Sequence, residues 1–241
     1  GASRIIVAGG DGSIHEAVNG ILRSESRPAL GVIPIGTGND FAKASDIPLH
    51  WEDAAILLAE RIVAAATPRE IDVGRMNQRF FANGAGVGFD AKVTGIAKSI
   101  RLPVGDIVYL LAVVQAMWDG VITPGLTIRY NNIVKHGPMT LANVSNGPWV
   151  GGMFLIAPDA KNDDGQLNLV VADPVSRMRI LQLLPKLMNG THIGQPEITA
   201  DRILVCEIES SSPVPSHLDG EVQPLQSLFE IEILPGALRL L

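Results

Sequence analysis

Cysteine is nearly absent: Cys206 stands alone among 241 residues, which excludes an internal disulfide and fits a reducing cytoplasm. Long apolar runs are missing too. The longest, Ile107 to Trp118, is interrupted by Gln115 and is too short to span a bilayer, so a soluble protein without a transmembrane segment is expected. There is no basic excess: the net charge is −6, which speaks against a nucleic-acid-binding face. No signal peptide is expected from the opening residues, and no internal repeat or low-complexity tract is seen. The chain does have 46% hydrophobic and 18% charged residues, which suits a buried core rather than disorder.

The first third alternates strand and helix signals. Arg4–Ala8 is a β-branched run ending in Gly9–Gly10, after which Ile14, Ala17, Val18, Ile21 and Leu22 recur at helical spacing. Ser13 and Glu16 make an S-x-x-E capping box at the expected helix start. Leu30–Ile35 then leads through Gly36–Asp40 into a helix from Phe41, and Trp51–Ala65 is a further helix. Strand, glycine turn and helix, repeated, predict a parallel α/β sheet. After Pro68 strands dominate: residues 71–73, 79–83, 126–130, 139–144, 167–172, 203–207 and 228–234, with helices at 107–118 and 178–188.

Two strand-to-helix turns, Gly9–Ser13 and Gly36–Asp40, lie one α/β unit apart. Such turns let a ligand approach the backbone closely, and the following helix offers free N–H groups. Neither is followed by Lys-Ser/Thr, so neither is a P-loop, and neither reads G-x-G-x-x-G. One such turn alone would be only a turn. Two together, carrying Asp11, Thr37 and Asp40, point to nucleotide phosphates, and a carboxylate beside phosphates implies an intervening Mg²⁺.

Other candidates divide between chemistry and structure. Asp219–Gly220 with Glu221, taken alone, reads as a surface turn. Asp163–Asp164–Gly165 fits a hairpin turn or a metal loop. The histidines show no ligand spacing: His15 is expected on a helix surface, His50, His136 and His192 in solvated loops, and His217 beside the acidic triplet, packed or chemical. One cysteine excludes a thiolate zinc site. The segment 98–118 is expected to be core, while Lys92, Lys98 and Arg101 are candidates for anionic headgroups.

Gly9-Gly-Asp-Gly-Ser13 resembles the G-G-D-G-T signature of the diacylglycerol kinase catalytic domain, and 36–42 (GTGNDFA) that family's second motif. Residues 81–90 (FANGAGVGFD), 146–152 (NGPWVGG), 157–165 (APDAKNDDG) and 217–221 (HLDGE) follow in the family's order. The likeness spans the chain and is strongest to bacterial lipid kinases of the YegS type. Ser13 stands for Thr, Lys43 for a frequent Arg, and Met153 for a third glycine.

The resemblance implies an ATP-binding α/β lobe over 1–68 with the tail 236–241, and a β-sandwich-like lipid lobe over 69–235. It implies nucleotide contacts at Gly9, Gly10, Asp11, Gly12, Ser13, Ile14, His15, Glu16 and Thr37. It places a general base at Glu221, beside which Asp219 is read as its orienting partner or a metal contact, and a structural cation, Mg²⁺ or Ca²⁺, at Lys161, Asp164 and Gln166. The implied enzyme transfers the γ-phosphate of ATP, with Mg²⁺, to a lipid hydroxyl of diacylglycerol or phosphatidylglycerol type. It would work from the cytoplasm at the inner membrane surface. Relatives begin with a further strand–helix portion bearing an ATP-contacting Thr, so the chain is expected to be incomplete at its N-terminus, and its own competence stays open. The rival readings are a metabolite kinase of the NAD-kinase type and a non-catalytic nucleotide-binding module. Oligomeric state and lipid identity are not legible.

Overall fold

The computed structural model describes residues 1–100 and 107–241; the expectation for Arg101 lies outside them. The chain opens with β1 (Arg4–Gly9), α1 (Asp11–Arg23), β2 (Ala29–Pro34), α2 (Asp40–Ala44) and α3 (Trp51–Val63). β1 and β2 pair in parallel, Val7 opposite Val32. β2 is buried along nearly its whole length, as a strand covered on both faces must be, whereas β1 alternates between half-buried and exposed positions.

Then come β3 (Arg69–Met76), β4 (Arg79–Phe81), β5 (Gly84–Gly88), α4 (Phe89–Ser99), α5 (Ile107–Trp118), β6 (Gly125–Tyr130), β7 (Ile133–Pro138) and β8 (Leu141–Ser145). The chain finishes with β9 (Trp149–Val150), β10 (Phe154–Leu155), β11 (Leu167–Ala172), α6 (Arg177–Met188), β12 (Ile198–Ile203), β13 (Val205–Leu218) and β14 (Glu221–Leu240). Among the described residues the strands, β9 and β10 apart, form one hydrogen-bonded network with the path β1-β2-β14-β13-β5-β8-β11-β12. The molecule is therefore α/β at its start and mostly antiparallel sheet thereafter.

β14 ties the two parts together. Its first half pairs with β13, its second half runs along β3, and Leu240 meets Leu30 of β2 in parallel. Pro235–Gly236 interrupts the register between Leu234 and Leu238 as a bulge that redirects the strand. Gly236 takes the left-handed conformation there (φ 60°), and its N–H donates to Asp72 Oδ1 at 2.8 Å.

Three of the apolar clusters among the described residues are the largest. One fills the sheet-rich part around Phe81, Leu126, Ile128, Leu169 and Phe229. A second, around Ile14, Val18, Leu30 and Phe41, also takes in Ile71 and Leu238, so β3 and the end of β14 pack with α1, β2 and α2. The third lies beneath α4, α5 and α6, around Phe89, Ala112, Phe154 and Leu184.

Several expectations change here. α1 starts at Asp11 with Gly10 as N-cap and no side-chain cap, so Ser13 and Glu16 do not form the capping box. The chain passes from strand to helix in one residue and leaves Ser13 inside the first turn. α4 and β5 were not foreseen: Gly84, Gly86 and Gly88 weaken the strand signal, and Val93, Thr94 and Gly95 weaken the helix signal. Asp163–Gly165 joins no hairpin, because β11 pairs with β8 and β12 and not with β10. α5 is core on one face only: Ala112, Val113, Ala116 and Met117 are buried, while Leu111, Val114 and Trp118 are exposed.

Candidate functional site

The two glycine turns touch backbone to backbone. A Cβ on Gly36 would stand 2.5 Å from the Cα of Gly10, so neither position has room for a side chain. Asn39, in the left-handed conformation (φ 50°), staples the second turn: its Oδ1 accepts from Gly36 N at 3.1 Å and its Nδ2 donates to Gly36 O at 2.9 Å. Asp11 bridges the turns, its Oδ1 accepting from Phe41 N at 3.0 Å. Its Oδ2 lies 3.1 Å from where a Cβ on Gly38 would be.

Burial pushes the Asp11 carboxyl above its ordinary range, the N–H groups of Phe41 and Asp40 pull it back, the nearby Asp219 adds to the rise and Lys43 opposes it. A second clamp joins α2 to the loop 146–153. Both Asp40 oxygens lie 3.1 Å from Gly152 N, and Lys43 Nζ donates to Gly152 O at 2.5 Å with its ammonium 5.3 Å from the Trp149 ring centroid. Met153 turns into the apolar cluster beneath α4–α6.

Asp219 and Gly220 form the hairpin turn between β13 and β14, with Leu218 opposite Glu221. Both have positive φ (48° and 81°), as a two-residue type I′ turn requires and as Asp-Gly favours. The turn aims the Asp219 carboxylate inward, where it accepts from the N–H groups of Ala82, Asn83 and Gly84 at 2.8–3.0 Å and from His15 Nδ1 at 2.9 Å. His15 is thus buried between α1 and this turn instead of lying on a helix surface, and Asn19 links its ring side to Phe80.

Glu221 projects the other way. Its Oε1 comes within 3.1 Å of a notional Cβ on Gly12, directly at the first glycine turn, and its Oε2 pairs with Lys98 of α4. Asp219 therefore reaches Glu221 through the backbone of the turn, while Lys98 is the side chain that holds it.

Asp11, Gly12, Thr37, Lys98, Asp219 and Gly220 line a cleft of about 580 Å³. Ser13 and Glu16 are exposed beside it. Ile14 turns into the core and its N–H is spent on Gly10 O, so nothing but backbone geometry connects it to a ligand. Through Tyr109, Asn143 and Val150 the cleft adjoins an apolar pocket of about 120 Å³ between the sheet and α4–α6. Burial pushes the Tyr109 hydroxyl up to about 12, and the ring fills the space a Cβ on Gly151 would need. Sequence reasoning did not single out Tyr109 or Asn143; Asp90 was visible only as the last residue of the 81–90 motif.

The remaining candidates are scattered. Asp164 Oδ1 accepts from Gln166 N at 3.0 Å, and the loop is fastened through Gly165 N to Asp72 and through Asn162 to Ser45. The other carboxylate oxygen of Asp164 makes no hydrogen bond to that N–H. Among the described residues no three His, Cys, Asp or Glu side chains gather. Lys92 is no headgroup contact: it donates to Gly120 O and Ala116 O at the end of α5. His192 is buried, not solvated, with Nε2 donating to Ile156 O at 3.0 Å; burial depresses its pKa. His50 and His136 are exposed.

Residues 1–76 match the family model described as the diacylglycerol kinase catalytic domain, and residues 84–241 that described as the YegS C-terminal NAD kinase beta sandwich-like domain. The chain is 32% identical over 242 residues to a probable lipid kinase YegS-like protein of Chromohalobacter salexigens, covering 99% of this chain and 75% of the relative. It is 33% identical over 218 residues to a diacylglycerol kinase of Bacillus subtilis, covering 90% and 70%. A solved Bacillus anthracis structure assigned as a diacylglycerol kinase superposes with a TM-score of 0.79 at 27% identity, over 99% of this chain and 77% of that one.

Proposed function

The chain belongs to the diacylglycerol kinase family and is a lipid kinase, and from that premise we propose that it transfers the γ-phosphate of ATP, with Mg²⁺, to the hydroxyl of a lipid of diacylglycerol or phosphatidylglycerol type. The observation that carries this reading is the position of Glu221, whose Oε1 abuts Gly12 at the edge of a cleft that continues into an apolar pocket. A carboxylate at the phosphate turn is placed to take the proton of an attacking hydroxyl. Gly12 and Gly38 let the Glu221 and Asp11 carboxylates close in on the two turns without an intervening side chain, and the start of α1 offers backbone N–H groups for phosphates.

Asp11 fits a hard divalent cation: one oxygen is fixed by Phe41 N, and the other faces the cleft at Gly38. Bound there, Mg²⁺ would supply neutralisation of the charge developing on the transferred phosphoryl group. Asp219 keeps the hairpin turn, and with it Glu221, in register with α1. The 161–166 loop is a candidate seat for a structural cation, Mg²⁺ or Ca²⁺, at Asp164.

The apolar pocket suits acyl chain and favours a lipid over a soluble acceptor such as NAD. Next to it, α5 exposes Ile107, Leu111, Val114 and Trp118, and α6 exposes Met178, Leu181 and Met188. We assign these two stripes to the membrane surface, with Arg177 and Lys186 at the headgroups. No helix of the described residues is long and apolar enough to cross a membrane. The test is incubation with labelled ATP, Mg²⁺ and mixed-micelle lipids, wild type beside Glu221→Gln. Label in a lipid, lost in the variant, supports the reading; label in NAD and in no lipid overturns it.

A further inference from the structure

An acylglycerol lying across this site would put its hydroxyl in the cleft and its chain in the apolar pocket. The ester that joins the two then falls at the neck between them, which Tyr109, Asn143 and Val150 line. Val150 is apolar. The Tyr109 ring packs over Gly151, and its hydroxyl lies toward the hairpin turn, 3.6 Å from where a Cβ on Gly220 would stand. Asn143 brings an amide to the same neck.

Asn143 sits in the middle of β8 and is 2% exposed. Its Oδ1 accepts from Ser145 Oγ at 2.6 Å, two residues along the same face of the strand. That bond fixes the amide and leaves Nδ2 as the group to be satisfied. Among the described residues Nδ2 donates to no acceptor, and unlike the enclosed Nδ2 of Asn168 it is not sealed from the cavity. Opposite Asn143 stand Gly86 of β5 and Val170 of β11, neither with a polar side chain to offer. The His217–Asp90 ion pair fills the place of a side chain at Gly86, so the open side of the amide is the neck. A buried donor left without an acceptor costs free energy, and one kept at a ligand passage calls for an acceptor on the ligand.

An ester carbonyl is such a group: it accepts and cannot donate, which matches an amide N–H. An ether-linked chain brings the same hydroxyl and the same apolar bulk without that carbonyl. Resting on the lipid-kinase reading above, we propose that Asn143 is a specificity-determining residue whose Nδ2 donates to an ester carbonyl of the acceptor. Ester-linked acylglycerols are thereby preferred to ether-linked ones.

The probes are 1,2-dioleoylglycerol and its diether, 1,2-di-O-oleylglycerol, each in mixed micelles. The wild type is expected to favour the diester about tenfold in kcat/KM, mainly through the KM for the lipid. Asn143→Leu, close in size and without a donor, should abolish the preference and leave the KM for ATP unchanged. Asn143→Asp keeps an acceptor for Ser145 Oγ and removes the donor, so it carries the same comparison if the leucine variant does not fold. Equal use of both lipids by the wild type overturns the proposal, as does a preference that survives in the variant or an equal loss on both lipids. The Asn143 side-chain ¹H–¹⁵N NMR signals, assigned by their absence in the variant, give a readout independent of turnover. They should shift with the diester and much less with the diether. If neither lipid is phosphorylated, the kinase reading falls; that difference in shift then sustains the carbonyl site by itself, and its absence sinks it.

Discussion

Asp219 and His15, 204 residues apart, meet at 2.9 Å through carboxylate Oδ2 and ring Nδ1. The contact fastens the hairpin turn that carries Glu221 to the helix that follows the first glycine turn. With three backbone N–H groups on the same carboxylate, the geometry of the site depends on one buried side chain.

Asp219→Ala strands those donors in a buried setting. The expected loss is on the order of 3 kcal/mol, seen as a fall in Tm of roughly 6–12 °C for a chain of this size. His15→Ala should cost less, about 1–2 kcal/mol, because only one of the four contacts goes. Differential scanning calorimetry of both variants checks the order, and an unchanged Tm for Asp219→Ala would remove its role as anchor.

Glu221 should behave in the opposite way. It is partly exposed and its ion pair with Lys98 lies near the surface, so Glu221→Gln should alter stability by less than about 1 kcal/mol. Its kcat should nevertheless fall by roughly a hundredfold or more. Lys98→Ala should lower kcat more mildly, with Lys98→Arg restoring most of it. Steady-state kinetics beside thermal melts separate the two effects.

Asp11 offers a pH test. Burial holds its carboxyl above the ordinary 3.8, so the folded state favours the protonated form. That contribution is fully present below 3.8 and is lost as pH rises through the folded-state value. Asp11→Asn keeps an acceptor for Phe41 N and removes the charge. Its Tm should exceed that of the wild type at pH 7, with the gap closing below pH 4, while kinase activity is lost. A gap that stays constant with pH would assign the effect to packing instead.

His192 should give the mirror image. Burial depresses its pKa below 6.5, so its neutral form contributes stability above 6.5 that is lost as pH falls through the folded-state value. Melts between pH 7.5 and 5 should show a steeper acid-side decline for the wild type than for His192→Gln.

The sequence by itself determined what rests on near neighbours. Alternation of strand, glycine turn and helix marked β1, α1, β2 and α2, because those signals act over a few residues. Asp219–Gly220 was legible as a turn for the same reason, although not the inward course of its carboxylate. The order of short motifs, from Gly9–Ser13 to His217–Glu221, identified the family without any knowledge of which of them touch.

Tertiary structure decided the rest. β5 is a strand because β13 and β8 flank it and need its glycines for close approach, against its own weak propensity. β14 continues past Pro224 and Pro235 because its partners change along its length, from β13 to β3 to β2. His15 on Asp219, Lys98 on Glu221 and His217 facing Asp90 join residues more than a hundred positions apart. Such pairs leave no periodic trace in the chain, since their spacing is set by how the sheet closes and not by the repeat of a helix or strand.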